Sequence, residues 1–360
     1  MTLSESASTS SALLPTTLEG LTPEWLTSAL GVRNPGTVVE GVEIEHVIWG
    51  TATKALLRLT YGSHGDGGPP ERICVKGCFD PALLELGMAD AYQAEVAYYE
   101  LVAPTLNIPQ ARCWYAGGNP EQRQGIVILD DLAAAGCSFG EPTKAFTPDQ
   151  VAVGLEILAG VHGPTAGADR ADYPWAAASS PVRQVADVFF TAEYWDAHFG
   201  GPDGPPAPDS LLDREAVAKA FTALWAYEDA APHALSHGDP HIGNTYLDAS
   251  GRPAFIDWQA TCLAPPMDDV AYFIGGALSV ADRRTHERDL VKLYLDAASA
   301  AGAPPADADG AWLAYRRQHL HGFLWSLTGP KMQPRERVFA MSERHVAAIE
   351  DHNTLALLRD

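Results

Sequence analysis

Apolar and polar residues alternate over VVEGVEIEHVIW (38–49) and ALLRLTY (55–61), the period-two pattern of half-buried strands. Gly50-Thr51-Ala52-Thr53-Lys54 reads as the turn between them. The stretch GSHGDGGPPE (62–71) is dense in turn formers and predicts a loop, and Ile73-Cys74-Val75-Lys76 predicts a third strand. Over 81–103 the period lengthens: Leu84, Met88, Tyr92, Val96 and Tyr99 fall near one face of a helix. Arg112–Ala116 and Gly125–Leu129 predict two more strands around the turn Gly117-Gly118-Asn119-Pro120. Upstream, Thr22-Pro23-Glu24 opens a short helix, with threonine as cap and proline in the first turn. The first third of the chain is thus expected to form a five-stranded sheet with one long helix inserted after its third strand.

After Asp130-Asp131-Leu132 the pattern changes. Thr147-Pro148-Asp149 starts a helix running to about Val161, again with a cap and a first-turn proline. Helical spacing returns over 183–199 and 209–230. Residues 235–258 hold short apolar runs and a hairpin signal at Ala249-Ser250-Gly251, and from Met267 onward the chain reads as mostly helical. No internal repeat is present. The expected class is α+β: a flexible tail over 1–19, a β-rich lobe over 20–131 and a helical lobe over 132–360.

Composition narrows the function. The length of 360 residues favours two cores over one. No apolar run is long enough to span a bilayer. The Ser/Thr-rich start MTLSESASTSSALLPTT lacks the basic and apolar regions of a signal peptide. Five scattered cysteines without a CxxC pair suggest neither a zinc knuckle nor a disulfide framework, so a reducing cytoplasm is the expected compartment. With 24 Lys+Arg against 46 Asp+Glu, a net charge of -22 repels nucleic-acid phosphates and disfavours DNA or RNA as a partner. A nucleotide would have to be held by local basic groups and a metal ion.

The densest chemistry lies in His237-Gly238-Asp239-Pro240-His241-Ile242-Gly243-Asn244, followed after the hairpin by Ile256-Asp257-Trp258. Phosphoryl transfer needs an oxygen base beside the attacking hydroxyl and hard oxygen ligands for Mg²⁺. The H-x-D-x-x-x-x-N spacing supplies both from one loop, and a second aspartate on the hairpin completes the set.

These residues resemble the aminoglycoside phosphotransferase and choline kinase group, and especially its ecdysteroid-kinase-like (CHK) branch. The resemblance covers roughly residues 40 to 280. It implies a bilobal protein-kinase-like fold in which Asp239 is the catalytic base and Asn244 and Asp257 bind Mg²⁺. Lys76 resembles the lysine that pairs with the nucleotide phosphates, and Glu95, with Glu100 as the neighbouring alternative, resembles its helix partner. Ile128-Leu129-Asp130-Asp131-Leu132 resembles the hinge whose main chain meets the nucleotide base. Gly50 and Thr51 stand where the phosphate loop belongs, without a G-x-G-x-x-G pattern. Pro266–Phe273 resembles the family's helix start, with Asp269 bracing the catalytic loop. Trp258-Gln259 and Gly238 replace the Phe-Gly and the arginine of protein kinases, which points away from protein substrates. The implied activity is transfer of the γ-phosphate of ATP or GTP to a hydroxyl of a small molecule. An antibiotic or other natural product is the leading acceptor, with a sterol-like, sugar or amino-alcohol metabolite as the alternative. The sequence chooses neither between ATP and GTP nor among oligomeric states.

Two rival readings come from the same chain. Gly136-Cys137-Ser138-Phe139-Gly140 matches the G-x-S-x-G nucleophile elbow of hydrolases, but lacks the strand before it and the helix directly after it that an elbow requires. A nucleotide-binding pseudokinase would share the fold without turnover, although every required catalytic residue type is in place. His237 is expected to orient its loop, and Pro240 opposes the helix that a metal site at His237 and His241 would need. His319 and His321 are expected in the core or on a helix face, with the wall of an acceptor pocket as the alternative.

Overall fold

The computed structural model describes residues 13–64, 67–85, 89–202 and 204–359. Residues 1–12 of the expected tail, part of the 62–71 loop and Met88 lie outside the described residues, as does the Leu84 side chain. The chain divides into two compact units. The first gathers the described residues of Met1–Leu106, Gln110–Cys137 and Asp257–Gln259; the second holds Asn107–Pro109, Ser138–Ile256 and Ala260–Asp360.

In the first unit, α1 (Pro23–Arg33) begins as its sequence predicts: the Thr22 side chain accepts a hydrogen bond from the Trp25 N–H. The sheet comprises β1 (Val38–Ile48), β2 (Thr53–Ser63), β3 (Arg72–Gly77), β4 (Cys113–Asn119) and β5 (Gln124–Asp130), in the antiparallel order β1-β2-β3-β5-β4. Alternation sends Ala55, Leu57, Leu59, Ile73 and Val75 into one core with Leu26 and Leu30 of α1. The opposite face of β2 and β3 carries Lys54 and Lys76, which are cross-strand partners. Between β3 and β4 the helical stretch is divided. After α2 (Pro81–Glu85) and α3 (Ala89–Ala97) it widens into a π-helical turn over Tyr98–Val102 and tightens into a 3₁₀ turn over Ala103–Thr105.

Two expected boundaries move. The chain is already anchored at Leu14 and Pro15, where Gln122 and Gln124 bond their main-chain groups, so ordered structure begins before residue 20. The division after 131 shifts to 137, because the Ala135 and Cys137 N–H groups bond back to the carbonyls of Asp131 and Leu132 and keep this turn with the sheet.

The second unit starts at β6 (Ser138–Phe139) and α4 (Pro148–His162), whose Thr147–Gln150 capping box satisfies the helix start. Each of the next two expected helices is broken by a residue that caps a new one. Thr191 separates α5 (Pro181–Phe189) from α6 (Ala192–Phe199), and Asp213 separates α7 (Asp209–Leu212) from α8 (Arg214–Ala230). Short strands follow: β7 (Ala234–Ser236), β8 (Thr245–Leu247), β9 (Pro253–Phe255) and β10 (Cys262–Ala264). They form the sheets β6-β8-β9 and β7-β10. The remainder is helical: α9 (Met267–Ala277), α10 (Val280–Ala300), α11 (Ala308–Gln318), a buried 3₁₀ segment over His319–Leu327, α12 (Arg335–Asp351) and α13 (Thr354–Leu357). Phe221, Leu224, Phe323 and Ile349 knit the later helices into one apolar core. No helix among the described residues is long and apolar enough to cross a membrane. The cysteines are free thiols.

Candidate active site

Strand pairing places Lys76 at the end of β3 with its chain buried and its ammonium turned to two carboxylates. Its Nζ lies 2.7 Å from Glu95 of α3 and 2.8 Å from Oδ1 of Asp257. Burial disfavours the charge on Lys76, but Asp257 and Glu95 outweigh it and hold the ammonium above the ordinary lysine value. Burial pushes the Glu95 carboxyl up, against the pull of Lys76. Glu100 takes no such place; it is exposed.

Sequence reasoning missed a second cation. Lys54 Nζ reaches Oδ2 of Asp257 at 3.4 Å, so Asp257 meets an ammonium at each oxygen. The signal lay in the hairpin register. β2 starts at Thr53, two residues before the expected strand, and this puts Lys54 opposite Lys76. Asp257 itself adopts φ +70, a left-handed backbone that an aspartate tolerates better than most residues.

The residues after Asp257 tie down the parts around it. Trp258 stacks on Tyr98 of the π-helical turn, with centroids 4.0 Å apart and planes at 8°. Gln259 donates to the Thr51 hydroxyl at 2.9 Å, while the Thr51 carbonyl accepts from the Tyr92 hydroxyl at 2.8 Å. The β1–β2 turn with Gly50 and Thr51 is thereby fastened both to α3 and to the Asp257 loop. Leu129 is buried on β5, opposite Cys74 and Cys113.

In the second unit, Asp239 and Asn244 share one loop. Asn244 Nδ2 donates to the Asp239 carbonyl at 2.9 Å and to its Oδ2 at 3.1 Å. The Tyr272 hydroxyl reaches Oδ1 of Asp239 at 3.3 Å. His237 accepts the Asp239 N–H at Nδ1, and its Nε2 lies 3.0 Å from the Ile256 carbonyl. One nitrogen accepting and the other donating describes a neutral imidazole that holds the loop. His241 likewise accepts the Gly243 N–H at Nδ1, and its Nε2 stands 3.7 Å from Asp239 Oδ2.

Asp269 of α9 braces this loop: its buried carboxylate accepts the main-chain N–H of His237 at 2.7 Å and of Gly238 at 3.0 Å. His162 of α4 lies 3.1 Å from the same carboxylate and 2.8 Å from the Tyr294 hydroxyl. Burial acts to raise the Asp269 pKa, but His162 and the loop N–H groups prevail and hold it below the usual aspartate value. Gly238 has φ +80, and a Cβ there would lie 2.2 Å from the Ala260 carbonyl oxygen. A side chain at Gly238 would therefore force that carbonyl or the loop to move. The Ile256 N–H bonds the Asn244 carbonyl at 2.9 Å, which fastens the end of the hairpin to the Asp239 loop.

The G-x-S-x-G stretch does not form an elbow. Ser138 is exposed on β6, an edge strand paired with β8, and the next helix begins only at Pro148. Gly140 serves packing, since a Cβ there would lie 2.0 Å from the Ile242 carbonyl oxygen. His319 and His321 are buried. His321 Nδ1 lies 3.3 Å from Asp268, and His319 stacks on His352 at 4.8 Å, with planes at 3°. Glu287 lies close to His319 and His352, but Arg283 donates to Glu287 at 2.7 Å and lies 3.3 Å from His352 Nε2. That guanidinium, with two parallel rings that cannot both aim a lone pair at one ion, makes the group packed core rather than a metal centre.

No curated protein sequence matches the chain. Among solved structures, the chain is similar to the GDP and kanamycin complex of APH(2")-IIia, with 11% identity over 91% of this chain and 98% of that one, at a TM-score of 0.51. It is also similar to apo macrolide 2'-phosphotransferase MphH from Brachybacterium faecium (17% identity, 89% and 97% covered, TM-score 0.43). A third is the choline kinase LicA from Streptococcus pneumoniae (15% identity, 87% and 94% covered, TM-score 0.47). The first of these likenesses carries the fold, which is kinase-like and α+β. A sequence model of the phosphotransferase enzyme family, APH, matches residues 88–314. That match covers more than half of the chain, which therefore belongs to the phosphotransferase enzyme family.

Proposed function

We propose that the protein moves the terminal phosphate of Mg-ATP or Mg-GTP to a hydroxyl group of a small molecule. The observation that carries this reading is the buried Lys76 ammonium shared between Glu95 and Asp257. A lysine held by a helix glutamate, beside a carboxylate able to bind metal, is what phosphoryl transfer in kinase-like enzymes demands. Lys76 then meets the nucleotide phosphates, Glu95 holds Lys76 in place, and the Gly50-Thr51 turn covers the phosphates. The main chain around Leu129 meets the nucleotide base.

The residues present fit a hard cation. Asp257 offers a carboxylate that already draws two cations, Lys54 and Lys76. Asn244 spends its amide N–H donors on Asp239, which leaves its amide oxygen as the group it can offer. Mg²⁺ held by such oxygen ligands would neutralise phosphate charge. Asp239 receives the proton of the acceptor hydroxyl as the acceptor oxygen bonds to the γ-phosphorus; the bond from that phosphorus to the β–γ bridging oxygen breaks, and the nucleoside diphosphate leaves. Positioning and charge neutralisation supply most of the rate.

For the acceptor we propose a hydroxylated natural product, antibiotics among them. The test is a panel of aminoglycosides, macrolides, choline, ethanolamine, sugars and sterols, incubated with Mg-ATP or Mg-GTP and followed by mass spectrometry for a phosphate added to the acceptor. Replacing Asp239 with Asn should lower turnover by roughly 10²–10⁴ while nucleotide affinity is kept. Turnover within a few-fold of the natural chain would remove Asp239 from the role of base.

A further inference from the structure

The Asp239 carboxylate is gripped by Tyr272, which is itself held by a residue beyond the reach of the family match, Trp325. Tyr272 of α9 directs its hydroxyl to Asp239 Oδ1 at 3.3 Å, and the Trp325 indole N–H donates to that same hydroxyl at 2.8 Å. A phenol has one hydrogen. With Trp325 donating to its oxygen, that hydrogen is directed to Asp239. The Tyr272 ring has little freedom: His345 stacks on it at 5.3 Å with planes at 16°, and His321 meets it edge-on at 4.9 Å. Trp325 is fixed in turn by the wholly buried His319–Leu327 segment, and His241 of the Asp239 loop packs edge-on against it at 5.2 Å. Asn244 holds the other oxygen, Oδ2.

We propose that Trp325 and Tyr272 form a positioning relay that fixes the orientation of the Asp239 carboxylate toward the acceptor hydroxyl. The proposal rests on Asp239 being the base. Neither residue touches the reacting atoms; each acts through the next, Trp325 by polarising the Tyr272 hydroxyl and Tyr272 by fixing Oδ1. A base held at both oxygens keeps its remaining lone pairs aimed without reorganising at each turnover.

The test uses the full chain and the slow release of inorganic phosphate from Mg-ATP with water as acceptor, so that no acceptor need be known. Four variants are compared with the natural chain: Asp239→Asn, Tyr272→Phe, Trp325→Phe and the Tyr272→Phe/Trp325→Phe pair. Tyr272→Phe keeps the ring and its stacking, and should lower kcat about tenfold with KM for ATP within about twofold. Trp325→Phe should lower kcat by a smaller factor, and the pair should match Tyr272→Phe alone, because a relay broken at Tyr272 has nothing left for Trp325 to polarise. An unchanged kcat in Tyr272→Phe, while Asp239→Asn is impaired, overturns the relay and leaves the base standing. A loss in Asp239→Asn no larger than a few-fold overturns both. A KM for ATP that rises in step with the fall in kcat assigns Tyr272 to general structure and overturns the proposal. Losses that multiply in the pair remove Trp325 from it. Should Trp325→Phe fold poorly, Tyr272→Phe alone decides whether the carboxylate is held from this side.

Discussion

Lys76 Nζ and Asp257 Oδ1 lie 2.8 Å apart, although 181 residues separate them along the chain. With Lys54 on the other oxygen, Asp257 has an ammonium at each oxygen. Asp257→Ala should abolish the Mg²⁺ dependence of nucleotide binding, because a hard cation loses one of few oxygen ligands. Titrating Mg²⁺ against the binding of a fluorescent ATP analogue checks this; an unchanged dependence would place the ligand elsewhere.

Lys76→Met should strip the buried Glu95 of its partner and cost roughly 3–5 kcal/mol of stability. Adding Glu95→Gln removes the stranded charge, so the pair should recover most of that loss while phosphate transfer stays impaired. Urea unfolding and a turnover assay on both variants separate the two effects. Full recovery of activity with stability would deny Lys76 a role in phosphate binding.

At Gly238, alanine would have to hold φ near +80 with its Cβ 2.2 Å from the Ala260 carbonyl oxygen. Gly238→Ala should therefore destabilise by about 3 kcal/mol or more, or displace the Asp239 loop. A change in unfolding free energy below about 1 kcal/mol with normal turnover would show that the loop relaxes freely.

The Asp269 pKa lies below its ordinary 3.8 in the folded protein, so its contribution to stability is present above that value and is lost as the pH falls through the folded-state pKa. Asp269→Asn should cost about 1–3 kcal/mol at neutral pH. The gap from the natural chain should close in acid, below about pH 3.8. Denaturation at pH 7 and at progressively lower pH measures it. A gap that widens in acid contradicts the sign.

Ser138→Ala removes a hydroxyl from an exposed edge strand and should leave stability within about 0.5 kcal/mol. Phosphate transfer should persist almost unchanged, whereas a nucleophilic serine would take its activity with it by several powers of ten. Assaying Ser138→Ala and Lys76→Met on one substrate gives opposite outcomes for the kinase and hydrolase readings.

The sheet, its order of elements and the caps at Thr22 and Thr147 were legible because each is written in a short window: a period of two, a change of period, a threonine before a proline. The candidate residues Asp239, Asn244 and Asp257 stand out in the sequence for the same reason, since one loop and one hairpin carry them. What lay beyond reach needed register or distance. Lys54 becomes a partner of Asp257 only once β2 is known to start at Thr53. Gln259 finds Thr51 from 208 residues away, and Trp325 finds Tyr272 across two intervening helices. The breaks at Thr191 and Asp213 were hidden because apolar spacing continues through them, and only the cap hydrogen bonds disclose them.

The burial of His319–Leu327 bears on how this scaffold could be re-engineered. A designer seeking a new acceptor would graft late helices from another kinase-like enzyme and treat them as interchangeable cassettes. Here such a graft exchanges Trp325, and the indole donor to Tyr272 goes with it. Chimeras joined after α11 would inherit a slowed chemical step whatever they recognise, unless an indole is written back at that one position.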